Sequence, residues 1–196
     1  MAAEVLAFPV TPWRGMTRTQ YDALVDTGLL EGEPIELLEG VLVEVSPQGV
    51  EHVHVVTLLN RWLVPRLPEP WLLRVQAPLA ATDRSEPEPD LAVAQLSVGH
   101  HPRTAALVIE VAVSSHRTDL LVKAGVYAAA AVTEYWVIDV PAREVVVHTD
   151  PGPSGYALVR RVPWTTPLPV PVGAGITVDL ATVLARPSNY DPSLKL

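Results

Sequence analysis

The sequence predicts an α/β or α+β domain, in which a mixed β-sheet is flanked by helices. Two observations carry this prediction. Between residues 50 and 139, a helical pattern is followed by three apolar strand patterns, a second helix and a fourth strand, and hairpin patterns stand at both ends of this series. Three consecutive strands followed by a helical crossover to a fourth require antiparallel and parallel neighbours in one sheet.

The size and composition of the chain fit a single domain over residues 1–196. We expect a core over about 17–184, an N-terminal arm over 1–16 and a C-terminal tail over 187–196. The hydrophobic fraction of 48% excludes a disordered chain. The absence of cysteine excludes a disulfide scaffold, cysteine-ligated zinc and thiol catalysis.

The charge balance limits the partners of the protein. The chain has 22 acidic and 14 basic residues, which give a net charge of −8. Because non-specific DNA binding depends on neutralising phosphates, a role with nucleic acid must rest on a local site. No basic residue precedes the first apolar stretch, and the longest weakly polar run, about 124–132, is far below the roughly 20 residues that span a bilayer. We therefore expect a soluble, cytoplasmic protein without a membrane segment.

The first half of the chain alternates between helical and extended patterns. A helix begins after Thr17, its N-cap, and runs to about Leu29. The segment PIELLEGVLVEVSP (34–47) predicts a hairpin. An apolar stripe of helical period then predicts a helix from about Val50 to Arg66.

The second half of the chain is mainly extended. Three strands are predicted in the segments 71–77, 90–96 and 105–113. The connection ATDRSEPEP (81–89) is polar and proline-rich, which is typical of a surface loop. The remaining predicted elements are a helix from Thr118 to about Ala131, strands at 134–139, 143–149 and 156–162, and a short last helix in VDLATVLA (178–185).

Two carboxylates do not fit an ordinary core. Glu110 interrupts the apolar strand AALVIEVAV, where it needs a cation, a hydrogen-bond network or protonation. Alternatively, it pairs with an arginine at a sheet edge or points outward. Asp90 opens the preceding strand, where it is ordinary turn chemistry on its own, but neighbouring strands could bring it beside Glu110. Two carboxylates held close together suit a hard divalent cation such as Mg²⁺ or Mn²⁺.

Lys123 is the third unusual residue. The chain has only two lysines against 12 arginines, and the other lysine, Lys195, lies in the tail. Lys123 could reach back over the end of the strand that carries Glu110, to orient a water or to neutralise charge on a phosphate. The alternative is an i,i+4 pair with Asp119, which stabilises a helix by only a few tenths of a kcal/mol.

Three further residues are candidates with simpler alternatives. His52 lies on the apolar stripe of its helix, where a histidine is more often a core residue than a ligand. Tyr127 follows Lys123 by one turn and could hold the ammonium, or simply pack. Glu36 begins the first hairpin and is either an edge residue or part of a site. The chain has no glycine-rich phosphate loop, HExxH motif or nucleophile elbow.

At these residues the sequence resembles the Uma-type family of putative restriction endonucleases, a bacterial branch of the PD-(D/E)XK nuclease superfamily. The resemblance runs from about Thr17 to Leu184. It is carried, in this order and spacing, by IELLEGVLVEVSPQGVEH, EPDLAV, LVIEVAVSS and DLLVKAGVYAAAAVTEYWVID. It implies a restriction-endonuclease-like core with additional N- and C-terminal strands.

The resemblance also implies roles for individual residues. Asp90 and Glu110 match the acidic motif residues that bind the divalent metal, helped by the backbone carbonyl of Val111. Glu36 and His52 match the family's hairpin glutamate and its histidine after the Ser-Pro turn.

The sequence departs from the superfamily pattern at two places. Ala112 stands where a standard (D/E)XK motif has its lysine, and the family's displaced K-x-x-x-Y pattern is matched by Lys123 and Tyr127. The segment SSHRTD replaces the more usual Ser-Pro-Ser-Thr, which affects the loop contacts expected at Ser114 to Arg117.

The resemblance implies a Mg²⁺- or Mn²⁺-dependent endonuclease whose partner is DNA. Two other classes stay open: a catalytically inactive nuclease fold used as a binding or assembly module, which the net charge favours, and a hydrolase of small phosphoesters. Restriction-type nucleases commonly pair to cut both strands, so a homodimer also stays open, with VVVHT (145–149) as a candidate edge.

Overall fold

The computed structural model describes residues 14–113, 117–173 and 175–185, with the backbone alone for 117–120. Its helices are α1 (Arg18–Asp26), α2 (Val50–Leu63, followed by a 3-10 turn at Val64–Arg66), α3 (Arg117–Ala129) and α4 (Leu180–Val183). Its strands are β1 (Ile35–Leu38), β2 (Val41–Glu44), β3 (Trp71–Val75), β4 (Leu91–Gln95), β5 (Leu107–Ala112), β6 (Glu134–Asp139), β7 (Glu144–Gly152), β8 (Gly155–Pro163), β9 (Leu168–Pro169) and β10 (Thr177–Val178).

The main sheet has six strands in the order β3-β4-β5-β6-β7-β8. Strands β5 and β6 run parallel because α3 returns the chain between them, and all other neighbours are antiparallel. The predicted mixed sheet flanked by helices is therefore confirmed. Among the described helices none is long and apolar enough to cross a membrane.

Each face of the sheet is covered by apolar packing. One face packs against α2, α4 and the small β9-β10 ribbon, and the other packs against α3. Side chains alternate between these faces along β5, so that Ile109 lies in the α2 cluster and Val108 in the α3 cluster. A strand buried on both faces is the reason why β5 reads as a continuous apolar run with one acidic residue in it.

The β1-β2 hairpin lies beside the main sheet and is anchored by the chain before β4. Glu86 N–H donates to Leu37 C=O at 2.8 Å, and Ser85 and Glu86 are buried. The prediction of a surface loop over 81–89 is therefore wrong for the second half of this segment, because that half packs against the hairpin. Most of the predicted N-terminal arm lies outside the described residues, although Met16 N–H donates to Gly40 C=O at 2.9 Å.

Other differences concern strands. VVVHT is not an edge, because β7 pairs with β6 on one side and β8 on the other, and the free edges of the described sheet are β3 and β8. The β9-β10 ribbon was not predicted, since two-residue strands leave no periodic signal. Helix α1 begins as predicted, with Thr17 as its N-cap in a capping box with Gln20, and ends earlier, at Asp26.

We expect the substitution Gly40→Ala to destabilise the protein. Gly40 turns the hairpin with φ +81°, and an added Cβ would lie 2.6 Å from Arg84 Nη2 and 3.0 Å from Met16 O. A non-glycine residue in this conformation costs about 1–3 kcal/mol before any clash. Gly32→Ala is the matched control, because Gly32 has φ +79° and a Cβ added there would have nothing within 4 Å. Urea unfolding should show the larger loss for Gly40→Ala, and equal losses would contradict a role for the close approach.

Candidate active site

Asp90 and Glu110 are brought together by the register of β4 and β5. Leu91 pairs with Ile109, so the next opposed positions in this antiparallel pair are Asp90 and Glu110. Each residue is only 7% exposed. The two carboxylates therefore lie on neighbouring strands in the middle of the sheet, away from its edges.

The Asp90 carboxylate is held by one of its oxygens. Its Oδ2 lies 2.9 Å from His52 Nε2 and accepts a hydrogen bond of 2.8 Å from Val111 N–H. Its Oδ1 has no hydrogen-bond partner in the described part of the chain and is not among the fully buried atoms. One oxygen is thus fixed by the protein, and the other is open to the solvent of the site.

The Glu110 carboxylate is also held by one of its oxygens, through side chains of α3. Its Oε1 accepts hydrogen bonds from Tyr127 Oη at 2.8 Å and from Lys123 Nζ at 3.2 Å. Glu110 therefore does not pair with an arginine at a sheet edge. Tyr127 donates to Glu110, whereas the sequence left open whether it holds the Lys123 ammonium or simply packs.

Lys123 links Glu110 to the β1-β2 hairpin. Its Nζ lies 3.0 Å from Glu36 Oε2 and 3.1 Å from Glu36 Oε1, and Glu36 is 3% exposed. The alternative partner, Asp119, is among the residues whose side chains the structure does not describe. The hairpin thus supplies a second carboxylate for the ammonium, from a segment 87 residues away in the sequence.

Burial and charge set the protonation of this cluster. Burial raises the pKa of Glu110 to about 7, the charge of Lys123 acts against this, and the charges of Asp90 and Glu36 add to it. Burial lowers the pKa of Lys123, but the charges of Glu110 and Glu36 raise it by more, so that it lies above its ordinary value. The lysine is therefore charged at neutral pH, and more than one carboxylate faces this single ammonium.

These side chains line a pocket of about 620 Å³ between the hairpin, the start of α2 and the end of β5. Its acidic lining residues outnumber the basic ones: Glu33, Glu36, Glu44, Glu88, Asp90 and Glu110 against Lys123 and His52. Glu88 and Gln76 are among the lining residues that sequence reasoning missed. Glu88 N–H donates to Glu36 Oε1 at 3.1 Å, a long-range contact that no local pattern reveals.

The donor set fits a hard divalent cation with an incomplete protein shell. In residues 14–113, 117–173 and 175–185, no three His, Asp or Glu side chains form a ready cation cluster. Asp90 and Glu110 nevertheless occupy opposed positions, and neither Asp90 Oδ1 nor Glu110 Oε2 accepts a hydrogen bond from the described residues. Mg²⁺ is commonly bound by one or two carboxylates, with water and substrate phosphate completing its shell. The contacts of the predicted loop Ser114 to His116 lie outside the described residues.

Known proteins resemble this chain in fold and in sequence family. The fold is similar to that in the crystal structure of a putative nuclease from Anabaena variabilis, with a TM-score of 0.61. The two sequences are 19% identical, and the match covers 82% of this chain and 98% of the other. No curated protein matches the chain. The chain belongs to the Uma2 family, described as putative restriction endonucleases, whose family model matches residues 19–181. The resemblance found from the sequence is confirmed.

We expect His52 to make stability depend on pH. The hydrogen bond to Asp90 raises the pKa of His52, burial lowers it by less, and the charges of Asp90 and Glu110 raise it further. A histidine with a raised pKa stabilises the folded state below its unfolded pKa of about 6.5, and this contribution is lost as pH rises through the folded value. Urea unfolding at pH 5.5 and 8.5 should show that His52→Gln loses more stability at the lower pH. His54→Gln, on an exposed face of the same helix, is the control, and an equal loss of stability at both pH values would contradict the linkage.

Proposed function

We propose that the protein is a divalent-cation-dependent endonuclease that hydrolyses DNA phosphodiester bonds in the cytoplasm. The observation that carries this proposal is the opposed pair Asp90 and Glu110, each with one oxygen that accepts nothing from the described residues, beside the largely buried Lys123 side chain. Membership of a family of restriction-endonuclease type and a nuclease-like fold support the same reaction class.

Asp90 and Glu110, with the backbone carbonyl of Val111, would hold Mg²⁺ or Mn²⁺. Such an ion, when bound, polarises a phosphoryl oxygen and lowers the pKa of a coordinated water. His52 and Tyr127 are positioning residues in this proposal, because each fixes one oxygen of a carboxylate and leaves the other oxygen free.

Lys123 has a separate role. Glu36 and Glu110 hold its Nζ at the rim of the carboxylate pair, and the Lys123 side chain is only 12% exposed. A fixed positive charge in a water-poor site stabilises negative charge that develops on a phosphate, or orients the attacking water. Its placement depends on the hairpin, so the fold of residues 35–44 is part of the catalytic arrangement.

The test combines a binding measurement with an activity measurement. Calorimetric titration of the wild-type chain with Mn²⁺ should show binding, and plasmid DNA should be cleaved in Mg²⁺ or Mn²⁺ but not in EDTA. Absence of both binding and cleavage would support the inactive binding module instead. Cation binding without any hydrolysis of nucleic acid or phosphoester would also overturn the enzyme assignment.

The acidic pocket lining favours a second candidate, a hydrolase of small phosphoesters. The acidic rim repels the many phosphates of a nucleic-acid polymer, whereas a single phosphoester carries little charge and is repelled less. Hydrolysis of bis(p-nitrophenyl) phosphate or of nucleotide esters without cleavage of plasmid DNA would decide for this candidate.

A homodimer is part of the endonuclease proposal, because two sites are needed for the two strands of a duplex. A second copy would pair through β3 or β8, which are the free edges of the described sheet.

A further inference from the structure

A third pocket residue lies in line with the two carboxylates. Val75 of β3 pairs with Leu91, and Leu91 pairs with Ile109, so the next positions across the three strands are Gln76, Asp90 and Glu110. The backbone ties this row together, because Gln76 N–H donates to Asp90 C=O at 3.2 Å. Gln76 lines the same pocket and is exposed to it.

The backbone of Gln76 is strained. Its φ is +45°, a left-handed conformation that glycine adopts without strain and that is unfavourable for other residues. The strain ends β3 at the pocket and presents a carboxamide there. Glycine would adopt this backbone conformation with less strain, which points to a role for the side chain of Gln76.

The charged side chains of the pocket offer few hydrogen-bond donors for a phosphate. Lys123 Nζ already donates to Glu36 Oε1 and to Glu110 Oε1, and it lies 3.0 Å from Glu36 Oε2, so most of its hydrogen-bonding capacity is directed at carboxylates. The other charged lining groups, apart from His52, are carboxylates, which only accept when ionised. An amide is an uncharged donor that adds no net charge to an acidic site.

We propose that Gln76 binds the substrate phosphate, donating an Nε2–H to a non-bridging phosphoryl oxygen at the Asp90–Glu110 site. This inference rests on the proposed phosphodiesterase function, and it adds the residue that positions the phosphate. Gln76 does not bind the cation in this assignment, so the affinities for cation and phosphate should separate in its variants.

The experiment measures binding without cleavage. A fluorescein-labelled DNA duplex is titrated with the full chain in Ca²⁺ and followed by anisotropy, thymidine 5′-monophosphate is titrated by calorimetry in Mn²⁺, and Mn²⁺ is titrated alone. A hydrogen bond to a charged group contributes about 1.5–3 kcal/mol, so Gln76→Ala should weaken phosphate binding about 10- to 100-fold. Gln76→Glu should weaken it further, through charge repulsion. The Mn²⁺ affinity of Gln76→Ala should stay within about twofold of wild type.

Two controls separate recognition from structure. Gln48→Ala removes another exposed amide of the same pocket and should leave phosphate binding unchanged. Gln76→Gly relieves the φ strain, so it should be at least as stable as wild type in urea while it loses phosphate binding as Gln76→Ala does.

Each outcome decides the proposal. Unchanged phosphate binding in Gln76→Ala, an equal loss in Gln48→Ala, or a tenfold loss of Mn²⁺ affinity in Gln76→Ala would overturn it, as would failure of the wild type to bind either phosphate probe. A wild-type chain that binds the nucleotide through Gln76 but cleaves no DNA would support this inference and refute the endonuclease function.

Discussion

Glu110→Gln should abolish cation-dependent cleavage and leave the chain folded. The glutamine keeps an oxygen that accepts from Tyr127 and Lys123, but it removes a charged ligand of the proposed cation. A bound metal contributes several kcal/mol to the transition state, and each 1.36 kcal/mol is tenfold in rate, so we expect a loss of about 100-fold or more. Plasmid cleavage and Mn²⁺ calorimetry measure the two effects.

The same substitution should change how stability depends on pH. Because the folded pKa of Glu110 is raised from 4.5 to about 7, its favourable contribution is present below pH 4.5 and is lost as pH rises through about 7. Glutamine mimics the protonated form of Glu110. The free energy of unfolding of Glu110→Gln in urea, relative to that of the wild type, should therefore be higher at pH 8.5 than at pH 5.5. Glu44→Gln, an exposed carboxylate of the same pocket, should change neither cleavage nor this profile. Wild-type cleavage by Glu110→Gln would contradict the assignment.

Local patterns predicted most of the fold because hydrophobic period and capping are local signals. Thr17 caps α1, the turn at Gly40 closes the hairpin, and the three-strand series with its helical crossover is present. The errors occur where a long-range contact decides. Glu86 is buried because Leu37 of the hairpin accepts its N–H, and nothing near Glu86 in the sequence indicates that partner.

In the candidate site, too, local signals predicted some features and long-range contacts decided the others. Glu110 and Lys123 stood out because each contradicts its surroundings, one as an acid in an apolar strand and the other as the lone lysine of the predicted core. Their mutual contact follows from the right-handed return of α3 over β5, which the order of elements indicates. The direction of the Tyr127 hydroxyl and the left-handed turn at Gln76 depend on side-chain and backbone detail that no spacing encodes.

Lys123→Ala should cause the largest loss of stability among these variants. It leaves Glu36 and Glu110 buried without their shared counter-ion, and breaking a buried ion pair on one side costs about 3–5 kcal/mol. These contacts predict that Lys123→Ala affects both cleavage and the fold. The loss in urea should be smaller at pH 5 than at pH 8, because protonation of Glu110, whose pKa is raised to about 7, removes one of the unpaired negative charges.

A double-mutant cycle separates the charge effect from simple truncation. Glu36→Gln in the Lys123→Ala background removes one of the two orphaned carboxylates, so it should restore about 1–3 kcal/mol at pH 8, whereas the same change in the wild-type background should destabilise. Arg103→Ala, which breaks an exposed pair with Asp83, is the control and should cost no more than about 1 kcal/mol. If Glu36→Gln destabilises both backgrounds equally, Lys123 and Glu36 are not coupled, and the hairpin does not place the ammonium. If the coupling is found while cleavage survives in Lys123→Ala, the lysine holds the fold together and has no part in the chemistry.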